Sequence, residues 1–328
     1  MSATIIHRET CRLCNSANVE LVVKLEPIPL SESYTLDSAS GAQQPRYPVD
    51  LYMCTDCSHV QQLDVVDAKS LWSNYTYYSG EAKGMPEHFQ QVAAEVIAAY
   101  QPASGALVID IGSNDGSLLR PFKTAGYRVL GVDPATEIAK MATASGINTI
   151  PDVMSLGLAK EIRSVHGAAE IVFMFNAFAH ADNLGEIVDA IHSLLGPGGL
   201  FIFEAQYLLD IIDGMLIASI FHEHISHHSV KALSSFLDRH DLELVKVDRV
   251  PIQHGSLIGT VQLKGGRRKV HSSVEVLLKL EEQRALGELK TLQNFAARIH
   301  AQSAQMKYFA NEWKAQKSVI AGYGAARS

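Results

Sequence analysis

At 328 residues, with 47% hydrophobic and 19% charged side chains, the chain has an ordinary globular composition and room for two domains, or one large domain with appendages. A formal charge of −7 argues against a nucleic-acid or anionic-membrane partner, because both select a basic face. No apolar stretch reaches spanning length and the N-terminus lacks a signal-peptide core, so a cytoplasmic protein is expected, with its four cysteines reduced.

Those cysteines form two pairs, Cys11-Arg-Leu-Cys14 and Cys54-Thr-Asp-Cys57. Thiolates at i and i+3 of a knuckle turn converge on one ion, and two knuckles complete a closed tetrahedral shell, which implies a structural zinc. The competing account is two unrelated pairs of buried or redox cysteines. The spacer of thirty-nine residues carries Pro27-Ile-Pro29 and a polar stretch from Ser31 to Gln44, which predicts a looped-out insert. Zinc would hold together a module, residues 1–66, too small to bury a sufficient core alone. Next comes Leu71-Trp-Ser-Asn-Tyr-Thr-Tyr-Tyr-Ser79, with tyrosines at 75, 77 and 78. It reads either as a packed linker or as an apolar arm whose phenols line a small-molecule pocket. Residues 86–100 predict a helix, from the spacing of Phe89, Val92, Ala93, Val96, Ile97 and Tyr100 between Pro86 and Pro102.

From residue 106 strands and helices alternate. Strands are expected at 106–111, 128–132, 147–150, 170–175 and 199–204, and helices near 116–125, 135–145, 155–165 and 184–195, with Gly126, Gly146 and Gly196 as terminators. The spacing predicts an α/β fold with a parallel sheet covered on both faces. A helix at 229–240 and strands at 242–250 and 256–263 follow, which would set one antiparallel strand on that sheet, as in the methyltransferase variant of the Rossmann-like fold. The first strand runs into Gly112-Ser-Asn-Asp-Gly116, and the second closes on Asp133. This turn lacks the third glycine of the dinucleotide fingerprint, and Asp110 and Asp115 would repel a pyrophosphate. A cationic cofactor without phosphate suits it better, namely S-adenosylmethionine with its ribose on Asp133.

Ligands in such sheets sit beyond the carboxyl ends of the strands. That rim carries Asn176, His180, the Phe203-Glu204-Ala-Gln206 end and the insert Phe221-His-Glu-His-Ile-Ser-His-His-Ser229. Three readings of the insert compete: a metal pair at His224 and His228, a polar loop covering the site, and an imidazole base oriented by a neighbouring carboxylate or tyrosine. Beyond 275 the pattern is helical, with Val276, Leu278, Leu280, Leu292, Phe295 and Ile299 among the apolar positions. Residues 318–328 predict a strand entering another Gly turn, so a fragment of a longer chain is expected.

In order and combination, the Cys11/Cys14/Cys54/Cys57 module, Tyr75-Thr-Tyr-Tyr78, Asp110-Ile-Gly-Ser-Asn-Asp-Gly116, Asn176 with His180, His222-Glu-His224, His254-Gly-Ser256 and Ala321-Gly-Tyr-Gly-Ala-Ala326 resemble the bacterial nucleotide-sugar C-methyltransferases that act on 4-keto-deoxysugars. The resemblance covers nearly the whole chain. It implies a zinc-binding module (1–66), a class I methyltransferase domain (67–275), and a helical linker with the start of a truncated Rossmann-like C-terminal domain (276–328). It also implies methyl transfer from S-adenosylmethionine to C3 of a dTDP-linked 4-keto sugar. His224 would remove the C3 proton, while Glu223, Tyr75, Tyr78, Asn176 and His180 would bind the sugar or stabilise the enolate. Asp110, Gly112, Asn114, Asp115, Gly116 and Asp133 would hold the cofactor. A monomer without nucleic-acid or membrane partners is expected. The chain departs from the family at Phe221, where tyrosine is usual, at His227 and His228, where tyrosines are commoner, and at His254-Gly-Ser256-Leu-Ile258, which has one glycine and no arginine. Two other functions compete: an O- or N-methyltransferase of another metabolite, and a catalytically impaired homologue that binds.

Overall fold

The structure is a computed structural model that describes residues 3–31, 33–72 and 75–321. Short strands open the chain: β1 (Ile5–His7), β2 (Val19–Val23), β3 (Leu51–Cys54), β4 (Val60–Gln61) and β5 (Asp64–Val66). β2, β3 and β4 form an antiparallel ladder, and β1 pairs antiparallel with β5. Val22, Val23, Leu51, Met53 and Val60 are buried, a modest apolar content for one module. The spacer between β2 and β3 does loop out, carrying α1 (Ser38–Ala42) capped by Asp37, and a bridge between Ile28 and Tyr47 cinches its base.

After α2 (Ala68–Trp72), helix α3 (Met85–Tyr100) turns Met85, Phe89, Val92, Ala93 and Val96 inward, as its spacing requires. The alternating region then gives β6 (Leu107–Ile111), α4 (Leu119–Thr124), β7 (Arg128–Val132), α5 (Thr136–Ala144), β8 (Thr149–Ile150), α6 (Leu156–His166), β9 (Ala169–Phe175), α7 (Leu184–Leu194) and β10 (Leu195–Gln206). Gly126 and Gly146 take the left-handed φ of helix terminators, at 89° and 93°. Gly196 does not terminate a helix. Leu195 is already extended, buried and paired with Ala169, so β10 starts directly at the end of α7. Gly167, with φ of 85°, closes α6 instead.

The chain continues through α8 (Leu208–Gly214), β11 (Ser226–His227), α9 (Val230–Arg239), β12 (Leu242–Val250), β13 (Ser256–Leu263), α10 (Ser272–Gln283) and α11 (Leu289–Ala315). The central sheet has seven strands in the order β12-β13-β10-β9-β6-β7-β8. β13 runs antiparallel to both of its neighbours, while the pairs among β6 to β10 are parallel. The antiparallel strand expected from sequence is therefore present. Phe201, Phe203 and Leu194 pack on one face of the sheet, and Phe89, Phe122 and Phe173 on the other.

Two features lay beyond sequence reasoning. β11, from the His-rich insert, pairs antiparallel with β4 and becomes the fourth strand of the N-terminal sheet. In addition, α11 returns to pack on β2 through its first half, burying Leu292, Phe295 and Ile299, while Tyr308, Phe309 and Trp313 lie exposed further along. Residues 318–321 form no strand, against expectation, and the remainder of that Gly-turn motif lies outside the described residues. No helix among the described residues is long and apolar enough to cross a membrane.

Candidate active site

The four cysteine sulfurs lie within 4.8 Å of one another, with Cys11 and Cys57 Sγ 3.6 Å apart and Cys14 and Cys54 Sγ 3.5 Å apart. A tetrahedron of Zn–S bonds of about 2.3 Å has edges of about 3.8 Å, so the constellation fits zinc. Each pair is shaped alike: Asn15 N–H donates to Cys11 O, Ser58 N–H donates to Cys54 O, and Asn15 and Ser58 are left-handed. The hydrogen bond from Cys57 pulls the Cys11 thiol down to about 5, while Cys57 is pushed up by that same pairing and Cys14 rises to about 11 through burial. Without a cation the cluster resists carrying a charge on every sulfur; a divalent ion removes that resistance.

On the rim of the central sheet, β6 leads into Gly112, whose φ of 78° and 2.6 Å approach of a hypothetical Cβ to Ala177 leave no room for a side chain. Gly116 is held the same way against Ile147. Asp133, closing β7, accepts from Asn114 N (2.8 Å) and Ala135 N (2.9 Å), and burial raises its pKa. Asp110 is buried, burial and the charge of Asp133 hold its pKa well up, and its Oδ1 has no hydrogen-bond partner among the described residues. An orphaned acid beside a glycine cradle suits a cationic nucleoside, so these residues fit S-adenosylmethionine. Asp110 and Gly112 line a cleft together with Tyr77, Ser79, Phe89, Phe175 and Asn176.

Asn114 and Asp115 have another task. Asn114 accepts from Ser79 N and donates to Tyr77 O, both at 2.9 Å, while Asp115 accepts from Gly80 N at 2.8 Å and Ser117 N at 3.1 Å. The cofactor turn thus pins the tyrosine arm across its own mouth. The expectation that Asp115 faces the ligand did not include this contact, because Gly80 stands thirty-five residues away.

His224 is held by its Nδ1–H, which donates to Ser219 O at 3.0 Å, so the Nε2 lone pair remains unprotonated. Burial lowers its pKa to about 4. Its ring stacks on His180 at 5.0 Å, His180 stacks on Trp72 at 5.5 Å, and Phe221 lies 4.3 Å away. Glu223 accepts from Ser31 Oγ at 2.5 Å, and burial raises its pKa. Tyr75 meets Trp72 edge-on at 5.0 Å, which places it beside this group, and burial and then the charge of Glu223 push its phenol upward. Tyr78 instead donates to Met141 Sδ on α5 at 3.8 Å, on the cofactor side.

Asn176 is left-handed and fixed twice by Glu204, through Asn176 N to Glu204 O and Asn176 Nδ2 to Glu204 Oε1, both at 2.9 Å. The second oxygen of fully buried Glu204 accepts from His88 Nε2 at 2.5 Å. Glu204 was placed on the rim by sequence without a role, and His88 was not singled out. An acid ending an otherwise apolar strand was a usable signal for Glu204; His88 gave none.

The structure overturns the metal-pair reading of the insert. His224 and His228 do not share a helical face, since the segment forms β11 and then a bridge to Tyr207; among the described residues only the cysteines are placed for a metal. The loop ahead of β11 is packed inward, with His222, His227 and His228 buried. His228 stacks between His59 of the N-terminal module and Phe178, and His227 pairs through β11 with Val60 of that module.

Comparisons with known proteins match three successive stretches of the chain. A zinc binding domain family matches residues 11–72, a methyltransferase domain family 85–247, and a C-methyltransferase C-terminal domain family 251–328. The C-methyltransferase NovU of Streptomyces niveus is 29% identical over 317 residues, covering 97% of this chain and 76% of that protein. A ubiquinone biosynthesis O-methyltransferase of Burkholderia thailandensis is 25% identical over 186 residues, 53% of this chain and 80% of its own length. Among solved structures, the magnesium protoporphyrin IX methyltransferase of Synechocystis with bound SAH covers 60% of this chain and 92% of its own, at 17% identity and a TM-score of 0.43.

Proposed function

Because the chain belongs to the C-methyltransferases that join a zinc binding domain, an S-adenosylmethionine-dependent methyltransferase domain and a C-methyltransferase C-terminal domain, we propose that it methylates C3 of a dTDP-linked 4-keto-deoxysugar through an enolate formed by His224. It is an enzyme, with S-adenosylmethionine as cofactor and zinc as structural metal. Bound S-adenosylmethionine supplies the electrophilic methyl that the enolate carbon takes. Asp110, Gly112, Gly116 and Asp133 are its binding groups, with Asn114 and Asp115 holding the arm over it.

One observation carries the base assignment. The Nδ1–H of His224 is committed to Ser219 O, so Nε2 is the basic atom, and the low pKa keeps it unprotonated at neutral pH. An enolate forming beside it would favour the imidazolium, and general-base help of this kind is worth about 10²–10⁴-fold. Tyr75 donates to the developing oxygen. His180 and Trp72 form the apolar wall, Glu223 is steadied by Ser31 to bind the sugar, and Asn176 is aligned by Glu204. The sugar nucleotide is supported by the motif resemblance, and carbon as acceptor also by the name of the Streptomyces relative.

The test is incubation with labelled S-adenosylmethionine and a panel of dTDP-4-keto-sugars in D2O. His224→Ala should lower both methylation and solvent exchange at C3 by about 10²-fold or more, leaving cofactor affinity unchanged. If both rates survive, His224 is not the base. Methylation without carbon exchange would identify an O- or N-acceptor.

A further inference from the structure

Both sides of the His224 turn are gripped by the zinc-binding module. Arg12, between the first two cysteines, has a fully buried side chain. Its guanidinium donates to Ile225 O at 2.9 Å, Gln61 Oε1 at 3.1 Å, Gln62 O at 3.0 Å and Asp182 Oδ1 at 3.2 Å. Gln62, just past the second knuckle, donates its Nε2 hydrogens to Phe221 O at 2.9 Å and His224 O at 3.1 Å, and its backbone N–H to Ile225 O at 2.9 Å. The pairing of β11 with β4 begins at the next residue, Ser226 against Gln61.

We propose that Arg12 and Gln62 are positioning residues for the base, and that the zinc knuckle exists to aim them. The inference rests on the reading of His224 as the base. Cohesion alone would not call for a buried guanidinium, since apolar contacts hold modules together without a desolvated charge. Here the donors go to peptide carbonyls on either side of the catalytic imidazole, which fixes the turn whose Nδ1–H must reach Ser219. Arg12 is aimed by its neighbours: with Cys11 and Cys14 bound to one ion, the backbone of the two residues between them is held, and with it the point from which the Arg12 side chain starts. The knuckle therefore sets the register in which Nε2 meets the acceptor, and misplacement by about 1 Å costs on the order of 10²-fold in rate.

The test uses the whole chain. Gln62→Met keeps length and bulk but removes the donors, and Arg12→Lys keeps charge but not the fork. Gln62→Met should retain its zinc content and cofactor affinity, while C3 exchange falls about ten- to a hundredfold. Histidine ¹⁵N NMR should show the His224 signal move from a fixed Nδ1–H tautomer to a mixture. A wild-type tautomer and exchange rate in Gln62→Met, with His224→Ala inactive, would overturn the proposal while leaving the base assignment intact. If His224→Ala exchanges normally, the base reading fails, and an unmoved tautomer signal in Gln62→Met then refutes the positioning as well. Arg12→Lys read by the same NMR signal serves if Gln62→Met does not fold. Stripping the zinc, verified by metal analysis, should speed amide hydrogen exchange at 221–228 at least about tenfold while 107–133 stays protected. Unchanged protection at 221–228 would exclude the metal from this role.

Discussion

Single residues carry consequences for acid stability. His59, His227 and His228 are buried, with His227 lowered to about 3, His228 to about 4, and His59 held well below the ordinary histidine value by desolvation. In the unfolded chain each titrates near 6.5. Between about pH 6.5 and 4 the unfolded state therefore binds more protons, and stability falls as pH falls. Urea midpoints should drop across that window by an amount worth a few kcal/mol, on the order of one kcal/mol per pKa unit; a flat profile would mean these rings are hydrated in solution. Glu204→Ala should cost about 1–3 kcal/mol in the same assay, because it strands the donors of His88 and Asn176. The positions of Asp133 and Asn176 were legible in the sequence because each directly follows a strand, β7 and β9. The settings of Arg12 and Gln62 were not, because their partners lie far along the chain: Arg12 and Ile225 are 213 residues apart.

At the scale of elements, the strand and helix pattern was readable wherever periodicity and glycine punctuation agreed. It failed at Gly196, where pairing of Leu195 with Ala169 overrode a terminator signal. The tyrosine arm was ambiguous for a related reason: its placement depends on Asn114 and Asp115, side chains of another element. Asp115→Ala removes acceptors for Gly80 and Ser117, a loss of about 1 kcal/mol or slightly more. Cofactor affinity by calorimetry should weaken about five- to tenfold, and limited proteolysis should open the chain near 75–81. Unchanged affinity would show that the arm does not close on the cofactor.

For the whole molecule, division into successive modules describes the order of the sequence better than its packing. The N-terminal sheet takes its fourth strand from the insert after the central sheet, and α11 packs back on β2. Metal removal should therefore lower the thermal midpoint of the entire chain. Calorimetry would show one transition displaced downward; a separate small transition, with the main one unmoved, would mean that the zinc-binding module melts independently.

The shared sheet also dictates an order of events during synthesis. His59 meets Ser226, its partner on the completing strand, only after 167 further residues have been made. At typical translation rates that is on the order of ten to thirty seconds. Throughout it, β4 presents an unpaired edge with nothing of its own chain to cover it. Early capture of metal would give the nascent knuckles a shape but not a finished surface. A segment that emerges before the central sheet is thus among the last to be completed, and its exposed edge sets a window for chaperone binding or mispairing that closes only when the turn carrying His224 arrives.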